Sequence, residues 1–283
     1  MSKKILISLS VIGAVAALAI GGTIAYFSDT ETSTGNTFTA GSIDLKIDDH
    51  CYYNGLECKL NPGNEKYQWY NPQTQQYDGD CSCTWGLKDL TDNDLFFNFS
   101  DLKPGDNGED TVSLHVYNND AWACVTFKNL LNKDNTCTEP EKADDPHQDG
   151  NCGITNPGEP AGELAQNLYF VFWADDGDNV YEPPTEVILM QGKASDLLPG
   201  PKIYPIADKT FSIAGSPGTP LTGSHDYYIG KAWCFGTMTI GTDGTITCNG
   251  QPVNNASQSD SLTGSIEFYA VQARNNPNFV CGQ

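Results

Sequence analysis

Apolar residues recur at every second position in several short runs of this chain, and that spacing restricts it to a fold of half-buried strands. Ile43, Leu45 and Ile47 alternate with Asp44 and Lys46. Val112, Leu114 and Val116 alternate with Ser113, His115 and Tyr117. Near the C-terminus, Leu262, Gly264, Ile266, Phe268 and Ala270 share one face, and Ser265, Glu267 and Tyr269 share the other. Each run buries one face and wets the other, as strands of an antiparallel sheet do. Further strands are expected at 122–128, 168–173, 227–240, 244–248 and 262–273. Pro104 and Gly105 suit the two central positions of a type II turn. Gly241-Thr242-Asp243-Gly244 suits a hairpin turn. Short helices are expected only near 160–166 and 193–198. Many strands separated by polar turns predict an all-β antiparallel sandwich.

The N-terminus sets the compartment. Lys3 and Lys4 precede an apolar run over 5–20, followed by Gly21-Gly22-Thr23-Ile24-Ala25. A positive start, an apolar middle and small residues at the end make an export signal, with cleavage expected between Ala25 and Tyr26. The run is shorter than the roughly 20 residues of a spanning helix; an uncleaved anchor is the alternative. Signal peptidase is then a partner, and membrane contact ends at cleavage. Ten cysteines in an exported chain predict five disulfides. Cys137 and Cys152 would close a local loop, and Cys234 and Cys248 flank the expected hairpin. Zinc is the alternative, but Cys81-Ser82-Cys83 lacks the C-x2-C spacing of a finger. The chain carries 36 acidic against 15 basic residues, a net charge of −21. Loss of Lys3 and Lys4 makes the exported form more negative still. Nucleic acid is therefore not an expected partner, and cations are.

Several motifs together resemble the TasA/camelysin family, secreted fibre-forming proteins with a dedicated signal peptidase. They are Gly21-Gly22-Thr23, Phe27-Ser28-Asp29, Phe38-Thr39-Ala40-Gly41-Ser42-Ile43-Asp44-Leu45, and Phe99-Ser100-Asp101-Leu102-Lys103-Pro104-Gly105-Asp106. The resemblance implies a jelly-roll winding of the sandwich. It also implies self-association into extracellular fibres of a biofilm matrix by donation of an N-terminal strand. The domain plan is then a signal peptide at 1–25, a donor segment at 26–36 and a jelly-roll domain at 37–283, with insertions at 48–95 and 132–160. Thr30, Thr32 and Thr34 give the donor segment β-propensity with little to bury at home. Tyr26 and Phe27 would fill pockets on a neighbour.

The expected cation site is the acidic stretch after the 168–173 strand: Asp175, Asp176, Asp178, Asn179, Glu182 and Glu186. Closely spaced carboxylates around a Gly turn suit calcium, which takes six to eight oxygen ligands, although Val180 occupies the position where an EF-hand needs Gly. A solvated turn is the alternative. No catalytic residue is assigned. Camelysins are described as metallopeptidases, so a secreted metalloendopeptidase is the enzymatic alternative, but the chain has no H-E-x-x-H. His50, His115, His147 and His225 are far apart, with His115 expected on a wet face. A third reading is a monomeric surface adhesin or glycan-binding sandwich, with Tyr52, Tyr53, Tyr67, Trp69, Tyr70 and Trp85 as its exposed contact face.

Overall fold

The computed structural model describes residues 29–33, 36–40, 45–91, 94–117, 119–147, 150–154, 162–197 and 200–283. The expected cleavage site at Ala25 and Tyr26, together with Phe27 and Thr34, lies outside them.

Two large sheets face each other. The nine-stranded sheet runs in the order β11 (Ile188–Lys193), β10 (Leu168–Asp175), β13 (His225–Phe235), β8 (Asn107–Val116), β3 (Leu45–Tyr53), β4 (Leu56–Asn61), β5 (Lys66–Asn71) and β6 (Gln76–Asp80), with β7 (Trp85–Lys88) also paired to β3. The five-stranded sheet runs β1 (Asp29–Ser33), β2 (Asn36–Ala40), β16 (Ser261–Gln272), β9 (Ala121–Lys133) and β12 (Lys202–Ala207). The named strand pairs are antiparallel except β2 with β16, which is parallel. Ile47, Val112, Leu114, Val116 and Ile229 of one sheet meet Val125, Phe127, Ile266, Phe268 and Ala270 of the other in a single buried core. Phe127 and Phe172 bridge the two layers edge to face, 5.4 Å apart. The alternating runs thus bury the faces that their spacing predicted. The fold is an antiparallel β-sandwich with few short helices. The two-Greek-key winding of a jelly roll is not established by these strand orders.

The insertion at 48–95 is more regular than its sequence suggests. β3 continues to Tyr53, and β4, β5 and β6 follow as a meander that widens the nine-stranded sheet. Asn54 and Gly55 both have positive φ, 49° and 76°. They form a two-residue turn of the primed type, whose twist matches that of the flanking strands. Cys51–Cys83 and Cys58–Cys81 staple this meander. Cys124–Cys281 ties the C-terminal tail to β9.

The strand expected over 227–240 is two strands, β13 and β14 (Thr237–Ile240), broken at Gly236. β14 and β15 (Ile246–Asn249) form a separate hairpin. It covers Val171, Trp173 and Ala232 on the outer side of the large sheet, and Cys234–Cys248 pins it there. Trp85, expected on an exposed contact face, is instead buried edge-on against Phe96 at 5.2 Å. Tyr53 clusters with Phe99 and Trp233, which also touch each other. The aromatic residues of 48–95 therefore serve the core as much as the surface.

Candidate metal centre

Five carboxylates from four segments converge beside the end of β9. Asp134 directly follows that strand. Glu141 lies in α1 (Glu139–Asp144) and Asp145 just after it. Glu163 precedes α2 (Leu164–Asn167), and Asp260 precedes β16. Asp134, Glu141, Asp145 and Glu163 are buried.

Local backbone chemistry explains how they are held. Glu141 is the third residue of its helix and turns back to cap it: the Thr138 N–H donates to its Oε2 at 2.9 Å. Asp260 Oδ2 accepts the N–H groups of Glu163 and Leu164 at 2.6 and 2.9 Å, at the start of α2. Asn132 secures the same helix by accepting from Ala165 N–H at 3.1 Å. Gly162 lets this segment approach β9, since a Cβ there would stand 2.8 Å from the Lys133 carbonyl carbon. Cys137–Cys152 closes the loop that carries Glu141, Asp145 and His147.

Each capping carboxylate therefore spends one oxygen on the backbone and keeps the other. Glu141 Oε1, Asp260 Oδ1, Glu163 Oε2 and both oxygens of Asp134 are buried without a hydrogen-bond partner. One ligand atom each from Asp134, Glu141 and Asp260 lies within 4.8 Å of the others. Asp145, His147 and Glu163 form a second such group, and Asp134 and Asp145 share a third with the disulfide-bonded Cys152. Two oxygens across one calcium ion lie at most about 5 Å apart, so the spacing fits a shared ion.

The electrostatics point the same way. Burial, with Asp145, Asp260 and the other acids adding to it, pushes the Glu163 carboxyl up to about 8. Burial pushes Asp260 up to about 7, with Asp134 and Glu141 adding against two backbone donors. Burial and then Glu141 and Asp145 push Asp134 up to about 6. The Glu141 carboxyl is raised too, mainly by burial. Close carboxylates cannot all ionise in such a place unless a cation joins them. His147 is the only basic side chain in these groups, with Nδ1 3.3 Å from Asp145 and 3.7 Å from Glu163. The all-carboxylate group of Asp134, Glu141 and Asp260 suits a hard divalent ion of the calcium kind, whereas the group with the His147 imidazole suits a transition metal such as zinc.

The acids of 175–186 are arranged differently. Asp175 accepts from the Trp173 indole at 3.0 Å and from the backbone of Gly177 and Asn179. Glu186 accepts from the N–H groups of Asp176 and Glu182, both at 2.9 Å. Asp178 accepts from Val180. These carboxylates brace their own loop, and none belongs to a ligand-spaced group among the described residues.

The histidines are spread out. His50 pairs with Glu57 at 3.1 Å, and His225 packs on Tyr227. His115 is mostly buried rather than wet, with Nε2 2.7 Å from Ser113 Oγ and Nδ1 2.6 Å from Asp226. That is the bonding order of a hydrolytic triad. However, Ser113 is buried and its hydroxyl donates to Asp48. Its backbone is flanked by ladders on both sides, so no pair of N–H groups is left to hold an oxyanion.

Residues 1–71 match the family model described as camelysin metallo-endopeptidase, which is the TasA/camelysin family. The match runs from Met1 to the last residue of β5 and leaves the acidic cluster outside it. No curated protein and no solved structure matches the chain. Among the described residues no helix is long and apolar enough to cross a membrane.

Proposed function

We propose that this chain, camelysin-like over residues 1–71, is an exported structural subunit of an extracellular fibre or matrix. Its fold is a jelly-roll variant stapled by disulfides and held by calcium at the acidic cluster. The observation that carries the reading is the seating of the N-terminal hairpin. Among the named strand pairings, β1 pairs only with β2, and β2 joins the sandwich only through its parallel ladder with β16. A strand added at a sheet edge needs only main-chain partners and can equally be supplied by a neighbour. Donation from one copy to the next is head-to-tail and propagates into an open filament. Tyr26, Phe27, Thr30, Thr32 and Thr34 are the donor residues in this reading, and cleavage after Ala25 frees them. The experiment is electron microscopy of mature protein beginning at Tyr26, beside a form lacking 26–40. Filaments from the first alone support strand donation; filaments from both overturn it.

A secreted metalloendopeptidase is the second reading. It is supported by the description of the matching family and by the ligand-spaced group Asp145, His147 and Glu163. A peptidase activity that a chelator abolishes and Glu163→Gln removes would establish it. The loop 175–186 is a second, weaker calcium candidate. An unchanged calcium response in Asp178→Asn assigns the effect to the acidic cluster.

A further inference from the structure

The inner face of the large sheet carries three charged residues where apolar ones belong. Leu45 and Ile47 lead to Asp49 along β3; Val116, Leu114 and Val112 lead to Asp110 along β8; Ile229 leads to Lys231 along β13. Asp49, Asp110 and Lys231 are each 0–1 % exposed. Lys231 and Asp110 stand directly opposite each other in the β13–β8 ladder. Lys231 Nζ lies 3.1 Å from Asp110 Oδ2 and 3.7 Å from Asp49 Oδ2. Asp49 stands beyond hydrogen-bond distance and Asp110 lies off the hydrogen-bond direction, so none of the four carboxylate oxygens has a partner of proper geometry among the described residues. Nζ donates a hydrogen bond to the Phe96 carbonyl, at 3.2 Å. The rings of Phe96 and Phe97 lie 4.8 and 4.4 Å from Nζ and keep water away.

A buried ion pair with a surplus acid is a costly way to fill a core. The same atoms are well placed for a different outcome. We propose that Lys231 and Asp110 condense into an intramolecular amide, with Asp49 as the proton relay. Lys231 Nζ, having passed its ammonium proton to the Asp49 carboxylate, attacks Cγ of Asp110, which enters as the neutral acid. The C–N bond forms and the carbonyl opens to a tetrahedral centre. Asp49 gives the proton it holds to the departing hydroxyl and takes the second proton from nitrogen, so that it ends as the neutral acid. The C–O bond breaks, and one water leaves. No oxidant, reductant or further reactant is needed.

Three physical conditions favour the step. Groups held in contact react as if at effective concentrations of about 10⁵ M or more. Burial raises the Asp110 carboxyl to about 6 against the pull of Lys231, and raises Asp49 well above its ordinary value, also against Lys231 and with Asp110 and Asp48 adding to it. Asp110 can therefore enter as the neutral acid, and Asp49 can keep the proton with which the step leaves it. The product replaces charged groups in the core with one neutral amide and releases water to solvent, which favours completion. The amide would bridge two adjacent central strands, so β8 and β13 could not separate under tension without breaking a covalent bond.

The test is the intact mass of the reduced, full-length mature protein, followed by a tryptic map. The expected mass is lower than the sequence mass by one water, with a branched peptide joining Asp110 to Lys231. Asp110→Asn should give the same branched product with loss of ammonia in place of water. Asp49→Ala should accumulate uncondensed chain. A wild-type mass equal to the sequence mass, with Lys231 in a linear peptide, overturns the proposal in favour of a buried ion pair. A branch at Asp49 overturns the choice of acyl partner. Full condensation in Asp49→Ala overturns the relay.

Discussion

At the scale of single residues, the acidic cluster makes stability depend on pH in a way that calcium should remove. Asp134, Glu163 and Asp260 hold their protons more tightly in the fold than at their ordinary values of 3.8 and 4.5. That stabilisation is complete below about pH 4 and is lost as pH rises through about 6, 7 and 8 in turn. In chelator, the melting temperature should therefore fall between about pH 5 and pH 8, whereas saturating calcium should flatten the slope. Calcum-free Glu163→Gln should melt higher than wild type near pH 8, by about 2–4 °C for each kcal/mol recovered. It should also lose much of the calcium response. Thermal scans over pH, with and without calcium, decide it; a flat chelated profile would show that the cluster carries no such repulsion.

At the scale of elements, the readable signals were those with a buried side. The spacing of Val112, Leu114 and Val116 shows directly because one face of β8 meets the core. β4, β5 and β6 lie beyond the sandwich with both faces partly wet, so their sequences carry no alternation. Their signal was the Asn54-Gly55 pair, a strong hairpin marker that the apolar pattern hides. Gly55→Val forces a β-branched residue to positive φ and should cost about 1–3 kcal/mol. Urea unfolding would show a lower midpoint, and the change should spare the calcium response. The loop of α1 gives the opposite expectation. Removing Cys137–Cys152, which closes a separation of 15 residues, should cost about 3 kcal/mol in the chain-entropy view. Because that loop carries Glu141 and Asp145, the Cys137→Ser/Cys152→Ser protein should also need more calcium to reach the same melting temperature.

At the scale of the whole molecule, the question is where the N-terminal hairpin docks. Without residues 26–40 the Ile266–Ala270 edge of β16 has no strand partner on that side among the described residues. Such an edge is a template for another strand. The truncated protein should fold, remain unable to elongate and bind a synthetic 26–40 peptide. Calorimetry or fluorescence binding of that peptide measures the outcome, and a truncated chain that ignores it would place the acceptor edge elsewhere.

Period-two spacing, turn residues and cysteine content were enough to establish a β-sandwich with disulfides, because burial of one strand face is written into neighbouring positions. The motifs at Gly21-Gly22-Thr23 and over 38–45 were enough to point to the family matched over 1–71. Tertiary structure alone decided which acids meet. Asp134 and Asp260 stand 126 positions apart, yet they and Glu141, Asp145 and Glu163 share one corner, whereas the compact run 175–186 satisfies itself through its own backbone. Asp49, Asp110 and Lys231 could have been flagged by continuing the buried parity of their strands, but only the register of β3, β8 and β13 shows that they touch. Local pattern records which way a side chain points; long-range pairing determines what it points at.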